Sequence, residues 1–110
     1  MGDGVAGESP LVVERTVVEG RDRVAVRGEL DAFTAPELRA SIDNAESDDV
    51  ELDLGGVSFI DSSGLATVVE SHQRLEREDR RLVIVDRSDI VQRLLDLSGL
   101  SERLHQESAS

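Results

Sequence analysis

Val57-Ser58-Phe59-Ile60-Asp61-Ser62-Ser63-Gly64-Leu65 decides how this chain is read. Val57 to Ile60 is an apolar strand end. It breaks abruptly into Asp-Ser-Ser-Gly, and apolar residues at helical spacing begin at Leu65. A strand here hands over directly to a helix. The first N–H groups of a helix have no partner inside it and favour negative charge nearby. Two hydroxyls and a carboxylate at such a point form either a cap or a phosphate site.

Working back from this break, Val50, Leu52 and Leu54 alternate with Glu51 and Asp53, which predicts a strand that bends at Gly55-Gly56. Before it, Thr34-Ala35-Pro36-Glu37 opens a helix. Thr34 with Glu37 has the spacing of a capping box, Pro36 is tolerated in a first turn, and Leu38, Ile42 and Ala45 share a face. Leu11 to Val18 and Arg23 to Arg27 read as a hairpin turning near Val17 to Asp22, with Gly28 ending its second arm. Downstream of the break, Leu65, Val68, Val69, His72 and Leu75 form a helical stripe that fades in the charged run from Arg74 to Arg81. Leu82 to Val85 is a continuous apolar strand of the kind covered on both faces. Ser88-Asp89 starts a last helix lined by Ile90, Leu94 and Leu97, and Gly99 suits its C-terminal cap. The order β-β-α-β-α-β-α predicts an α/β fold. Its sheet is mixed, with an opening hairpin followed by right-handed β-α crossovers, packed by three to four helices. Residues 10–106 form one domain. Residues 1–9 read as a disordered tail and 107–110 as a frayed end.

The chain has 110 residues and a net charge of −12 at pH 7. Between Glu29 and Asp61 ten acids face a single base, Arg39, so this stretch alone carries −9. Such a field repels nucleic acid and anionic lipid and suits a basic protein partner; the plain alternative is a solvated surface. With no cysteine there is neither a disulfide framework nor a thiolate metal site. With no Trp or Tyr there is no platform for stacking bases. No apolar run reaches membrane-spanning length, and the N-terminus lacks the pattern of a secretory signal. A cytoplasmic monomer is expected.

Catalytic constellations do not assemble. The Ser62-Ser63 pair lacks the preceding Gly of a nucleophile elbow, and His72 and His105 are not placed for a triad. The acids are not spaced as a calcium loop, and phosphate-loop and dinucleotide fingerprints are missing, so no metal or cofactor is expected. For Ser62 and Ser63 two readings stand. One hydroxyl caps the helix and nothing more, or another faces solvent and is phosphorylated, a modification that a helix N-terminus stabilises.

Three segments resemble the STAS domain family, and within it the bacterial anti-anti-sigma factors, or anti-sigma factor antagonists. Gly28-Glu29-Leu30-Asp31 with Thr34-Ala35 resembles the family's first signature loop. Phe59 to Leu65 resembles its phosphorylation loop, and Leu94 to Leu100 resembles its closing helix. The resemblance implies a non-enzymatic switch. The unphosphorylated antagonist binds an anti-sigma factor that is also a GHKL-type serine kinase, which frees a sigma factor. The kinase then phosphorylates the serine directly after the loop Asp, Ser62 here, and a PP2C-type phosphatase reverses this. It further implies that Asp31 and Asp61 contact the kinase, that Ser63 and Gly64 shape the loop, and that Glu29 and Thr34 join the contact set. The alternative is a scaffold or sensory STAS module that keeps the fold without switching on Ser62. A small hydrolase is the third reading, and no nucleophile–base pair supports it.

Overall fold

A computed structural model of the chain describes residues 10–99. Among these, β1 (Leu11–Val18), β2 (Arg21–Leu30), α1 (Ala35–Asn44), β3 (Asp49–Ile60), α2 (Ser62–Arg77), β4 (Arg81–Arg87) and α3 (Asp89–Ser98) follow in order. The four strands form one sheet in the order β1-β2-β3-β4. A two-residue turn at Glu19-Gly20 makes β1 and β2 antiparallel, whereas β2/β3 and β3/β4 are parallel, joined through α1 and α2. The expected mixed α/β fold is present, with three helices among the described residues. The terminal segments read above as tail and frayed end lie outside them.

Strand β3 corrects the expected bend at Gly55-Gly56. Its twelve residues run as one strand alongside β2. Ala25 pairs with Asp53 but Arg27 pairs with Gly56, and Gly28 pairs with Val57 but Glu29 with Phe59. At each step β3 holds one residue more than β2. Each extra residue is a bulge, and each shifts the in–out alternation by one. Hence Leu52 and Leu54 face inward two apart, while Val57 and then Ile60 follow at intervals of three. Broken alternation looks like a bend in sequence, but it is pairing with two insertions. Likewise Gly28 does not end β2. The strand continues through it to Leu30, with Gly28 at φ 105°, where a Cβ would lie 2.0 Å from the Pro10 carbonyl oxygen.

The inward positions of β2, β3 and β4 join Leu38 and Ile42 of α1, Leu65, Val68 and Leu75 of α2, and Val91 and Leu95 of α3 in one apolar core. The last helix differs from the expected face. Val91 and Leu95 are buried, Leu94 is partly covered, and Ile90 and Leu97 point outward. With apolar residues at 90, 91, 94, 95 and 97, two overlapping stripes satisfy helical spacing, and packing on β3 selects one. Strand β4 is an edge strand. Leu82 and Ile84 are buried, while Val83 and Val85 on its other face are only half-covered. That outer face carries a charge ladder. Arg23 reaches both Glu51 and Asp53 at 3.1 and 3.2 Å, and Arg81 reaches Asp49 at 3.1 Å.

At the N-terminal ends of the parallel strands the core holds a buried carboxylate. Asp22 follows the inward alternation of Val24 and Val26. One of its oxygens accepts from Arg15 at 2.8 Å. The other accepts from the Glu46 and Ser47 backbone N–H groups, both at 2.9 Å, and lies 2.8 Å from the Ser47 hydroxyl. Burial alone would raise this carboxyl. The donors on Ser47, Arg15 and Glu46 outweigh it and lower the pKa to about 2. Arg80 ties the same corner to α1, donating to the Ala45 and Ser47 carbonyl oxygens at 2.8 and 2.9 Å.

Candidate functional site: the paired strand ends and the start of α2

Leu30 and Ile60 are register partners at the carboxyl ends of adjacent parallel strands. Asp31 and Asp61 each follow directly, so the two acidic loops emerge side by side. This is the edge where open α/β sheets place their functional loops. The Asp61 N–H donates to the Leu30 carbonyl oxygen at 3.3 Å. Gly64 closes the join. It is buried, and a Cβ there would lie 2.5 Å from the Leu30 carbonyl oxygen and 2.9 Å from its Cγ, so only glycine lets the helix start lie this close to β2.

The cap of α2 is Asp61. Its carboxylate accepts from the Gly64 N–H at 3.0 Å while its carbonyl accepts from Leu65. The reading in which a serine hydroxyl caps this helix is therefore corrected. Aspartate caps as well as serine does, so three successive capping residue types leave the sequence unable to choose. Ser62 and Ser63 occupy the first helical turn, and both are exposed. Thr67 turns its hydroxyl back to the Ser63 carbonyl oxygen at 3.3 Å. His72 is half-buried, with Glu76 at 3.8 Å one turn on, far down the helix from the loop.

In the neighbouring loop Asp31 acts on its own backbone. Its Oδ1 accepts from the Phe33 and Thr34 N–H groups at 3.0 and 3.1 Å. Thr34 is 3% exposed. Its hydroxyl donates to the Glu29 carbonyl oxygen at 2.7 Å and accepts from the Asp31 N–H at 2.9 Å. The expected capping box at Thr34 is absent, because the side chain faces back into the loop and makes no cap hydrogen bond to α1. Thr34 thus has an internal, loop-shaping place and no free surface. Glu29 contributes its carbonyl oxygen to the loop, while its side chain is exposed at a register position beside Phe59.

A family model for the STAS domain matches residues 15–109. The chain belongs to the STAS domain family. This STAS domain is 35% identical to a protein named anti-sigma-B factor antagonist from Staphylococcus aureus, over 86% of this chain and 91% of that one. Among solved structures it resembles an anti-sigma factor antagonist from Mycobacterium paratuberculosis, with a TM-score of 0.76 and 26% identity, covering 87% of this chain and 84% of that one. It also resembles the Bacillus cell fate determinant SpoIIAA in the phosphorylated form, with a TM-score of 0.63 and 25% identity, covering 84% and 86%. Among the described residues no helix is long and apolar enough to cross a membrane, and no group of three or more His, Cys, Asp or Glu is placed to hold a metal.

One residue of this STAS domain's site escaped the sequence reading. Phe33 is 92% exposed, one of only two Phe in the chain, on a loop whose backbone Asp31 holds in place. An aromatic set in the short loop between Asp31 and Thr34 was the available signal. A crevice of about 350 Å³ runs between the starts of α1 and α2, lined by Ala32, Ala35, Pro36, Arg39, Ser63 and Thr67. The acidity of the Glu29 to Asp61 stretch is also reduced locally. Asp43, Asp49, Glu51 and Asp53 all pair with arginines from outside it.

Proposed function

We propose that this STAS domain is an anti-sigma factor antagonist of the cytoplasm. In its unphosphorylated form it binds an anti-sigma factor that is also a serine kinase, and phosphorylation of Ser62 ends the binding. The observation that carries this reading is the cap. Because Asp61 holds the helix start, both serine hydroxyls are exposed and available at a positively polarised helix terminus. A phosphate there adds about −1.5 to −2 charges at pH 7 beside Asp31 and Asp61 without removing any bond that holds the fold. Release then follows from repulsion and bulk at the partner's surface rather than from refolding. Asp31, Asp61, Ser63 and the exposed Phe33 form the contact surface, while Gly64, Thr34 and the Glu29 carbonyl keep it in shape. The names of the relatives support the antagonist role, and a neighbour solved in a phosphorylated form supports the switch. The chemistry belongs to the partners, a GHKL-type kinase and a PP2C-type phosphatase. The domain needs no cofactor of its own and reads neither nucleic acid nor membrane.

The test is intact mass with phosphosite mapping after incubation with ATP and each candidate anti-sigma kinase of the host. One phosphate on Ser62 with one kinase is expected. A phosphate on Ser63 alone would relocate the switch to the residue that lines the crevice. No phosphate with any kinase, from a folded protein, would leave the non-switching scaffold as the reading.

A further inference from the structure

Further along the seam between α1 and α2, a groove of about 320 Å³ is lined by Arg39, Glu70, Ser71, Arg74 and Arg77. Three of the chain's twelve basic residues thus meet on a molecule of net charge −12. Ser71, Arg74 and Arg77 recur three apart along α2, and Arg39 reaches in from α1. Ser71 is 4% exposed as a residue and lines the groove, and its hydroxyl is not among the buried polar atoms left without a partner, so it adds a neutral donor at the groove wall that solvent or a ligand can reach.

The guanidinium groups are only partly engaged. Arg77 has no acidic partner among the described residues, and Arg39 meets Glu70 at a loose 3.8 Å with both side chains more than half exposed. A pair of that kind contributes little and gives way to a better acceptor. Arg74 is ion-paired with Asp43, so its charge is already met in part. Arginine forks match tetrahedral oxyanions, and a serine hydroxyl adds a neutral donor.

We propose that this groove is a binding site for a phosphate group, as inorganic phosphate or a small phosphomonoester. Arg39 and Arg77 supply the charge, Arg74 paired with Asp43 adds a donor between them, the Ser71 hydroxyl supplies a neutral donor at the wall, and Glu70 is the competitor that the ligand displaces. The volume is at the lower end of small-molecule sites and admits a phosphate with a short substituent. Arg39 also lines the crevice that holds Ser63, so an occupant would reach the residue shared by both grooves. The site is independent of whether Ser62 is modified.

The experiment is a backbone-amide NMR titration of the full chain with inorganic phosphate, and in a second arm with glycerol phosphate, each against chloride at matched ionic strength. Saturable shifts in the millimolar range or tighter are expected, centred on Ser71 and its neighbours on α2 and on Arg39. Saturation by the ester alone would identify the substituent as part of the ligand. Arg39→Gln with Arg77→Gln, both at exposed positions, is expected to weaken binding by about tenfold or more. Glu70→Gln is expected to tighten it severalfold, an opposite sign that a damaged fold would not produce. Shifts that fail to saturate in both arms, or that chloride reproduces, overturn the site. So does a Glu70→Gln protein with unchanged affinity.

Discussion

At the scale of single residues, the replaceable and irreplaceable positions of the loop separate cleanly. Asp61→Ala removes the cap of α2 and is expected to lower stability by about 1 kcal/mol, read from urea unfolding. Ser62→Ala and Ser62→Asp touch neither the cap nor the core. Both should melt within about 0.5 kcal/mol of wild type, while only Ser62→Asp loses affinity for the anti-sigma partner. A Ser62→Ala protein as unstable as Asp61→Ala would show that the serine holds the helix after all. Gly64→Ala sets two effects against each other. Alanine favours a helix interior by about 1 kcal/mol over glycine, but its methyl would press on the Leu30 carbonyl at 2.5 Å. Backbone does not yield as a side-chain tip does, so overpacking of roughly 1–3 kcal/mol wins and the variant is expected to be the less stable. A stabilised Gly64→Ala would mean that β2 and α2 lie further apart.

At the scale of elements, the corner around Asp22 predicts the acid limit of the fold. Its carboxyl titrates at about 2 in the folded chain, against 3.8 for the unperturbed group. The folded pKa is the lower one, so the stabilisation is fully present above about pH 4 and disappears as pH falls toward 2. The difference corresponds to about 2 kcal/mol. Asp22→Asn should remove this pH dependence and be less stable at pH 7, because an amide offers one acceptor where four donors converge. Unfolding curves at pH 7, 4 and 2.5 check both. For α3, Leu95→Ala should lose roughly 2–5 kcal/mol whereas Leu97→Ala, 78% exposed, should lose under about 0.5. Element types were legible in the sequence because apolar spacing reports them directly, and so was the join at Asp61. What stayed hidden depends on pairing across the chain. The two insertions in β3 are defined only against β2, and the buried side of α3 only against β3. The cap was one of three equally suited residues. Asp22 was readable in principle, since it shares the alternation of Val24 and Val26, but a lone acid beside a Gly-containing turn reads as part of that turn.

At the scale of the molecule, charge and shape divide the surface. Among the described residues, the outer sheet face balances arginines against acids, whereas Asp31 and Asp61 stand at the strand ends without an ion pair. Attraction to a basic partner should therefore be focused on the loop edge. Its association rate is expected to fall by roughly tenfold or more from low to high salt, with dissociation changing much less. A salt-independent association rate in stopped flow would remove electrostatic steering from the account. The two bulges in β3 have a consequence for how this chain can change. They act as a vernier, letting a strand with two surplus residues finish level with its neighbour, so that Asp61 arrives beside Asp31 with the inward and outward sides restored. Losing one surplus residue would turn Ile60 outward and rotate the start of α2 away from Leu30, although neither glycine at 55 or 56 lies in the site. A change of length here preserves the loop edge only if it occurs in compensating steps. Strand length, as much as residue identity at the serines, is therefore part of what this domain must inherit.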